Sequence, residues 1–547
     1  MQGLQNESVV VNQIVQSERR PFLSTSSTYD LAIVGSGISC AYTLIHYLGL
    51  LAEKLATREI ERQKTLKVAV LDKSGEFWTG IAYGSRSSQQ SLIITSLQEF
   101  LPQPECDRFT NWLRANYNSV ISSLQERPGV FSSQWLDSYQ AAIEQNHWND
   151  IFIPRYLFGW YLKERTVNLL EEAAAQNYLH YELIKANVYN IQKQSEVYQI
   201  NTTEHNSLHA TKVVLAIGSP PNKAAFLSQL KFLERSPAEV KNEVCCIADM
   251  YEPSQNINIE RILQHLQANF RRPKQVLIIG SNASALETIY SLNNLPEAAK
   301  LIDKFVVVSP SGAFPHPIKA TPVSTTYIAQ NLDLLLQQEN FTAQQIYEAV
   351  QQDVAAALAN NETVNSTYRL ISQKVLQALN QLSYPEQKQF VIEYGVKIGK
   401  FQRRAGLDYL NVVGKLVLEG RLEFVKGKFT SIISLTKNQF GFKYIPLNSS
   451  QPEIFTTPIQ VVINCAGFQD LTQSSSPLIN NLIQQGICTP NDSRAGFEIN
   501  ENFETQQNFY LMGPLVAGNI NDRLRVWHAE SCGRIFNLSQ SLAEVLL

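Results

Sequence analysis

Gly35, Ser36 and Gly37, with Ser39 and Cys40 close behind, are small residues placed where a chain can fold tightly around a phosphate. The apolar run Tyr29 to Val34 precedes them, and the helix-forming run from Ala41 follows at once. In that order, Gly35 allows a tight turn out of a strand, and Gly37 lets the backbone approach a pyrophosphate. Cys40 stands where Gly or Ala is usual and is still small enough for close helix–strand packing. Free N–H groups and the dipole at the helix start favour negative charge. The chemistry implied is dinucleotide binding; an ordinary glycine turn is the bland alternative. Asp72 ends the next apolar run, Leu66 to Asp72, with Lys73 after it. A carboxylate there accepts hydrogen bonds from an adenosine ribose.

A second stretch repeats the pattern from Lys274 to Leu292. Gly280 is present, Asn282 stands where the second glycine belongs, and Ala283 and Ser284 open the helix. Asn tolerates positive φ better than most residues, although its side chain would crowd a pyrophosphate. The strand stretch that follows, within Phe305 to Pro317, has no Arg or Lys at its end to meet a 2′-phosphate. The expectation is a nicotinamide-type site, for NADPH or NADH. A vestigial domain kept for packing is the competing reading.

The elements that position these turns come from a chain of 547 residues, long enough for two to four domains. Apolar residues make up 44% and charged residues 17%, a soluble globular balance. A net charge of −3 leaves no electrostatic footprint for nucleic acid or an anionic membrane. Seven scattered cysteines without a C-x-x-C pair argue against a disulfide framework, a zinc site or a redox dithiol, and no metal is expected. The longest apolar stretch, Leu31 to Ala52, is broken by Gly35, Gly37 and His46, and reads as strand–turn–helix, not as a membrane span. The first twenty residues lack a secretion signal, so a reduced, cytoplasmic compartment is expected. Homo-oligomerisation stays open.

The segments Gly80-x-Ala82-Tyr83-Gly84, Phe109-x-x-Trp112-Leu113 and Pro154-Arg155-x-x-Phe158-Gly159-x-Tyr161-Leu162 are more specific. Together with the first turn they resemble the FAD/NAD(P)-binding proteins of the YdhS-like group. Three later pieces resemble that family too. They are Leu215-Ala216-Ile217-Gly218, Ile463-Asn464-Cys465-Ala466-Gly467, and the closing Gly513-Pro514 followed by Trp527, Glu530 and Arg534. The resemblance implies an α/β protein with two Rossmann-like domains, the second inserted into the first, and a helical insertion. It implies FAD in the first domain, with Tyr83, Gly218, Gly467, Gly513 and Pro514 near the cofactor. The expected division is a tail over 1–28, FAD-binding parts at 29–220 and 461–547, and an NAD(P)-binding-like domain over 221–320. A helical insertion over 321–426 and strands at 427–460 complete the second domain. The helix after the first turn is expected to run on to near Lys64.

The functional expectation is an FAD-dependent oxidoreductase, foremost an NAD(P)H-dependent monooxygenase acting on a small molecule. A flavin-dependent halogenase and a non-catalytic flavin-bearing partner are the alternatives; the W-x-W-x-I-P halogenase motif is absent. No residue declares itself as the acid or base. His316, Arg403 and His528 are the candidates, each with a plain packing or capping alternative.

Overall fold

The computed structural model describes residues 28–59, 64–204, 207–222, 244–269, 273–318, 326–436, 439–521 and 523–547. The expected tail therefore lies outside the described residues, Thr28 apart. Apolar, β-branched runs build two sheets. In the first, Tyr29–Val34 sits centrally, hydrogen-bonded in parallel to Leu66–Asp72 on one side and Leu208–Leu215 on the other. Leu179–Lys185 extends it beyond Leu66–Asp72, and Phe509–Leu511 pairs in parallel with Leu208–Leu215. The helix Ile38–Ala56 packs on this sheet with the terminal helix Cys532–Leu546 and with Arg155–Ala175. Strands covered by helices in this way are buried on both faces, which is why they read as unbroken apolar runs.

The first helix is shorter than expected. It ends at Ala56, and Arg58 takes a left-handed backbone (φ 58°), which stops the helical ladder.

The second sheet runs Glu453–Ile459, Gln439–Pro446, Leu422–Thr436, Lys304–Ser309, Gln275–Ile279, Val461–Asn464, Cys245–Ile247. Two expected boundaries shift as a result. Val461–Asn464 lies between Gln275–Ile279 and Cys245–Ile247 in this sheet, so the return to the first domain comes after it. Leu422 to Lys426 is strand, in register with Phe305 to Ser309, and is not part of a helical region. The helix Leu407–Leu418 packs against Ala283–Asn294 and so serves this sheet as a layer.

The remaining insertion helices form their own core around Leu332, Ile346, Val350, Ile371, Leu379 and Phe390. Thr342 and Thr363 open two of them with capping boxes, each side chain accepting from a backbone N–H one turn on. A wide π-turn, Phe390–Tyr394, then brings Gly395 so close to Trp527 that a Cβ there would lie 2.8 Å from the indole. Among the described residues no helix is long and apolar enough to cross a membrane.

Two polar pins hold the sheets together. Arg155, from the Pro-Arg motif, makes a buried ion pair with Glu287 at 2.6 Å, and its Nε donates to Ser87 Oγ at 3.1 Å. The Tyr251 hydroxyl donates to the other oxygen of Glu287. Burial works against the Arg155 charge, but Glu287 raises the pKa overall. The second pin is Asn294, whose Oδ1 accepts from the N–H of Phe131 at 2.6 Å while its Nδ2 donates to Pro128 O at 3.1 Å. A residue after the second nucleotide turn thus caps a helix of the first domain. Replacing Glu287 by Leu strands the Arg155 charge. Urea unfolding of that variant should show a loss of about 3–5 kcal/mol; a loss below about 1 kcal/mol would refute the pin.

Candidate functional site: paired nucleotide turns and a cationic cleft

Gly35 leaves its strand at φ +95°, and a Cβ there would sit 2.4 Å from Ala216 O. Its N–H donates to Leu71 O at 2.8 Å, while Ala216 N–H donates to Val34 O at 2.8 Å. The turn is thus clamped between the ends of both neighbouring strands. Gly37 follows at φ −73°, a conformation open to any residue. Its glycine identity serves close approach instead, because a Cβ there would lie 3.4 Å from Gly80 Cα. No side chain caps the helix that Gly37 opens, so its first N–H groups keep their donor capacity.

Asp72 is placed at this turn as its position predicts. One carboxylate oxygen accepts from Ser36 N–H at 3.1 Å and Ser36 Oγ at 2.8 Å. The other accepts from the Ser74 N–H and hydroxyl at 2.8 and 2.6 Å. Lys73 is exposed and points toward Glu252, 3.5 Å away, in the second half of the molecule. Ser39 is buried under Gly513, where a Cβ would meet Ser39 Oγ at 2.5 Å. Gly513 therefore lies against the start of the first helix. Cys40 is wholly buried, which raises its thiol pKa and makes it a packing residue. Tyr83 lies edge-on to Phe158, 4.9 Å away, in the segment that begins at Gly80.

The second turn repeats the clamp. Gly280 has φ +105°, a Cβ there would lie 2.2 Å from Cys465 O, and its N–H donates to Val308 O at 2.9 Å. Asn282 occupies the place of Gly37 at φ −96°, so the tolerance of Asn for positive φ is not used. Its side chain is exposed and does not cap the helix that Ala283 and Ser284 begin. Gly218 and Gly467 follow the two clamping carbonyls at φ +80° and +84°, and a Cβ on either would meet no protein atom within 4 Å. Both turns fit a dinucleotide: close-approach glycines, uncapped helix starts and left-handed glycines beside them at the carboxyl ends of parallel strands.

The fold also gathers the three acid–base candidates. His316 N–H donates to Arg403 O at 2.8 Å, and His316–Ile318 pairs in parallel with Arg404–Gly406. Arg403 faces Glu530 and His528 electrostatically. Arg534 donates to His528 Nδ1 at 3.0 Å and lies over the Trp527 ring. Arg404 stacks on Tyr368 at 4.0 Å and donates to Asn365 at 2.7 Å. Arg403, His528 and Glu530 are exposed and form a charged cluster at the surface. Desolvation first, then Arg534 and Arg403, pull His528 down to about 4 and keep its imidazole neutral. Burial raises Glu530 against the pull of Arg403. Tyr368 carries no signal in the sequence, because its helix, Val364–Gln381, is apolar-periodic and ordinary; Trp527 and Arg534 were marked only by resemblance.

Residues 32–220 match the family described as FAD-NAD(P)-binding. The crystal structure of DfoA bound to FAD, the cadaverine monooxygenase of the desferrioxamine pathway from Erwinia amylovora, is 12% identical. It superposes with a TM-score of 0.50 over 95% of each chain. Fold and site together define a two-dinucleotide flavoprotein fold with two glycine turns, the first of them within the FAD-NAD(P)-binding match. Uncharacterized proteins Rv3403c of Mycobacterium tuberculosis (strain ATCC 25618 / H37Rv) and Mb3437c of Mycobacterium bovis are each 30% identical over 529 residues, 96% of both chains. The chain belongs to the family of these mycobacterial proteins.

Two outcomes check this geometry. Gly35→Ala meets both a forbidden φ and the Ala216 carbonyl, so its melting temperature should fall well below that of Gly37→Ala, whose backbone is unstrained. Equal melting of the two variants would contradict the clamp. An NMR titration should show the His528 imidazole neutral from pH 8 down to about pH 5, and Arg534→Ala should raise its midpoint. The folded value lies below the ordinary 6.5. The linked stability is therefore complete above pH 6.5 and is lost as pH falls toward 4.

Proposed function

We propose that the protein is an NAD(P)H-dependent, FAD-containing monooxygenase of small molecules, within the YdhS-like group. The observation that carries this reading is the cleft where the insertion meets the segment after Gly513-Pro514. Arg403, Arg534, a neutral His528 and Glu530 converge there, and Arg404 nearby pairs with Glu99 at 3.7 Å. Cys532, four residues beyond His528, lies against Tyr42 and Tyr83, and Tyr83 belongs to the segment that touches Gly37. The cleft therefore adjoins the first nucleotide turn.

Bound FAD supplies two-electron redox chemistry and reactivity toward O2, which no side chain of the chain provides. The Gly35–Gly37 turn and the helix start at Ile38 would hold its pyrophosphate, Asp72 its ribose, and Gly513-Pro514 would lie by its ring. The Gly280–Ser284 turn would hold the nicotinamide dinucleotide. In the cleft, the arginines favour a substrate that carries a carboxylate, since guanidinium pairs with it bidentately. His528 is neutral at pH 7 and so has a lone pair able to accept a proton from a substrate amine or hydroxyl. Helices of the insertion, packed on Trp527, exclude water from that face.

The experiment is anaerobic mixing of the purified yellow protein with NADPH or NADH, followed by admission of O2. The visible flavin band should bleach and then recover, and His528→Ala should slow product formation without preventing bleaching. If neither nucleotide bleaches the band, the monooxygenase reading fails, and a flavin-bearing partner protein becomes the better account.

A further inference from the structure

The two nucleotide turns align residue by residue through their hydrogen bonds. Gly35 N–H donates to Leu71 O, and Gly280 N–H donates to Val308 O. The residues after those acceptors, Asp72 and Ser309, are therefore equivalent. So are Ser74 and Ser311, and Gly75 and Gly312. The next strand completes the match: Lys185 is in register with Asp72, and Lys426 with Ser309. Both glycines are left-handed, at φ +75° and +61°. A Cβ on Gly75 would lie 2.8 Å from the Lys185 stem, and one on Gly312 would lie 2.9 Å from the Lys426 stem. Each strand end is the same device: a Ser-Gly turn with a lysine stem laid across it.

One chemical change separates the two. The first device carries the Asp72 carboxylate; the second carries the Ser309 hydroxyl. A carboxylate at this place accepts a ribose 2′-hydroxyl and repels a 2′-phosphate. Ser309 is neutral, and its hydroxyl is taken up within the protein. It lies 3.1 Å from Ser311 Oγ and accepts from Gly312 N–H at 3.1 Å. Ser311 Oγ also reaches Ser281 Oγ at 3.1 Å, which ties this turn to the glycine turn itself. Ser311 and Lys426 are exposed, and among the described residues no carboxylate pairs with Lys426.

We propose that the second site selects a 2′-phosphorylated nicotinamide dinucleotide. The Lys426 ammonium would hold the phosphate where Ser309 has replaced the repelling carboxylate, while Ser311, whose hydroxyl donates to Ala313 O at 3.0 Å, shapes the turn beneath it. The missing base at the end of Lys304–Ser309 is thus supplied by the strand beside it. This inference rests on the reading of the Gly280–Ser284 turn as a nicotinamide site.

The test uses the FAD-loaded protein, so that the first turn is filled, and reads binding by calorimetry with 2′,5′-ADP and 5′-ADP. Wild type should bind 2′,5′-ADP tighter by on the order of tenfold, the worth of one charge-assisted contact. Lys426→Ala should abolish that margin and leave 5′-ADP binding unchanged, while Lys426→Arg should restore it. Ser309→Asp should turn the preference toward 5′-ADP. Circular dichroism melts confirm that each variant folds. Equal affinity of wild type for the two nucleotides, or equal weakening of both by Lys426→Ala, overturns the inference while leaving a nucleotide site in place. If neither these nucleotides nor NADPH or NADH bind, the nicotinamide reading itself falls, and this inference with it.

Discussion

A backbone carbonyl pressed onto a glycine is the contact from which the rest of this molecule is arranged. Ala216 O over Gly35 and Cys465 O over Gly280 each leave no room for a Cβ. The contact exists because three parallel strands end side by side and the middle one must turn at once into a helix. It fixes the helix axis relative to the sheet, and with it the direction of the helix dipole. It also fixes where the neighbouring strand stops, which places Gly218 and Gly467 at the mouth of each crevice. The same constraint, used twice, sets two ligand-facing edges in one chain.

How those edges face one another depends on polar contacts buried between the halves. Arg155 opens a helix of the first half, and Glu287 lies on the helix that follows the second glycine turn. Neither is tolerable alone in that surrounding, so the pair acts as a requirement on docking more than as a source of net stability. Asn294 adds direction, because a helix start accepts a capping side chain from a narrow range of approach. The insertion then closes on the C-terminal segment through Trp527, and the cationic cleft is what remains between them.

Much of this was legible in the sequence where the information is local. A strand, a turn and a helix in sequence order announce themselves through period and glycine placement, so Gly35, Gly37, Asp72 and Gly280 were found. Long-range pairing was not legible. Nothing in Val461 to Asn464 says that it enters the second sheet between two earlier strands. Cys245–Ile247 and Arg404–Gly406 are too short for any period, and the latter interrupts a helical pattern. The end of the first helix turned on the backbone of Arg58, a residue type that gives no warning of it. In the site, Arg403 and His528 were visible as candidates, but their meeting was not. Lys426 was invisible because it reaches the nucleotide turn from an adjacent strand, while a motif search looks only along one.

The π-turn at Phe390–Tyr394 carries a further consequence. It holds one more residue than an α-helical turn would, and each residue advances a helix by 100°. The helix after it, Gly395–Phe401, is therefore rotated by that step relative to the helix before it. Gly395 meets Trp527 in this phase. The insertion works like a key whose bit is set by a single extra tooth. Removing one residue from Phe390–Tyr394 would turn the helix that follows by about 100° and carry Gly395 away from Trp527.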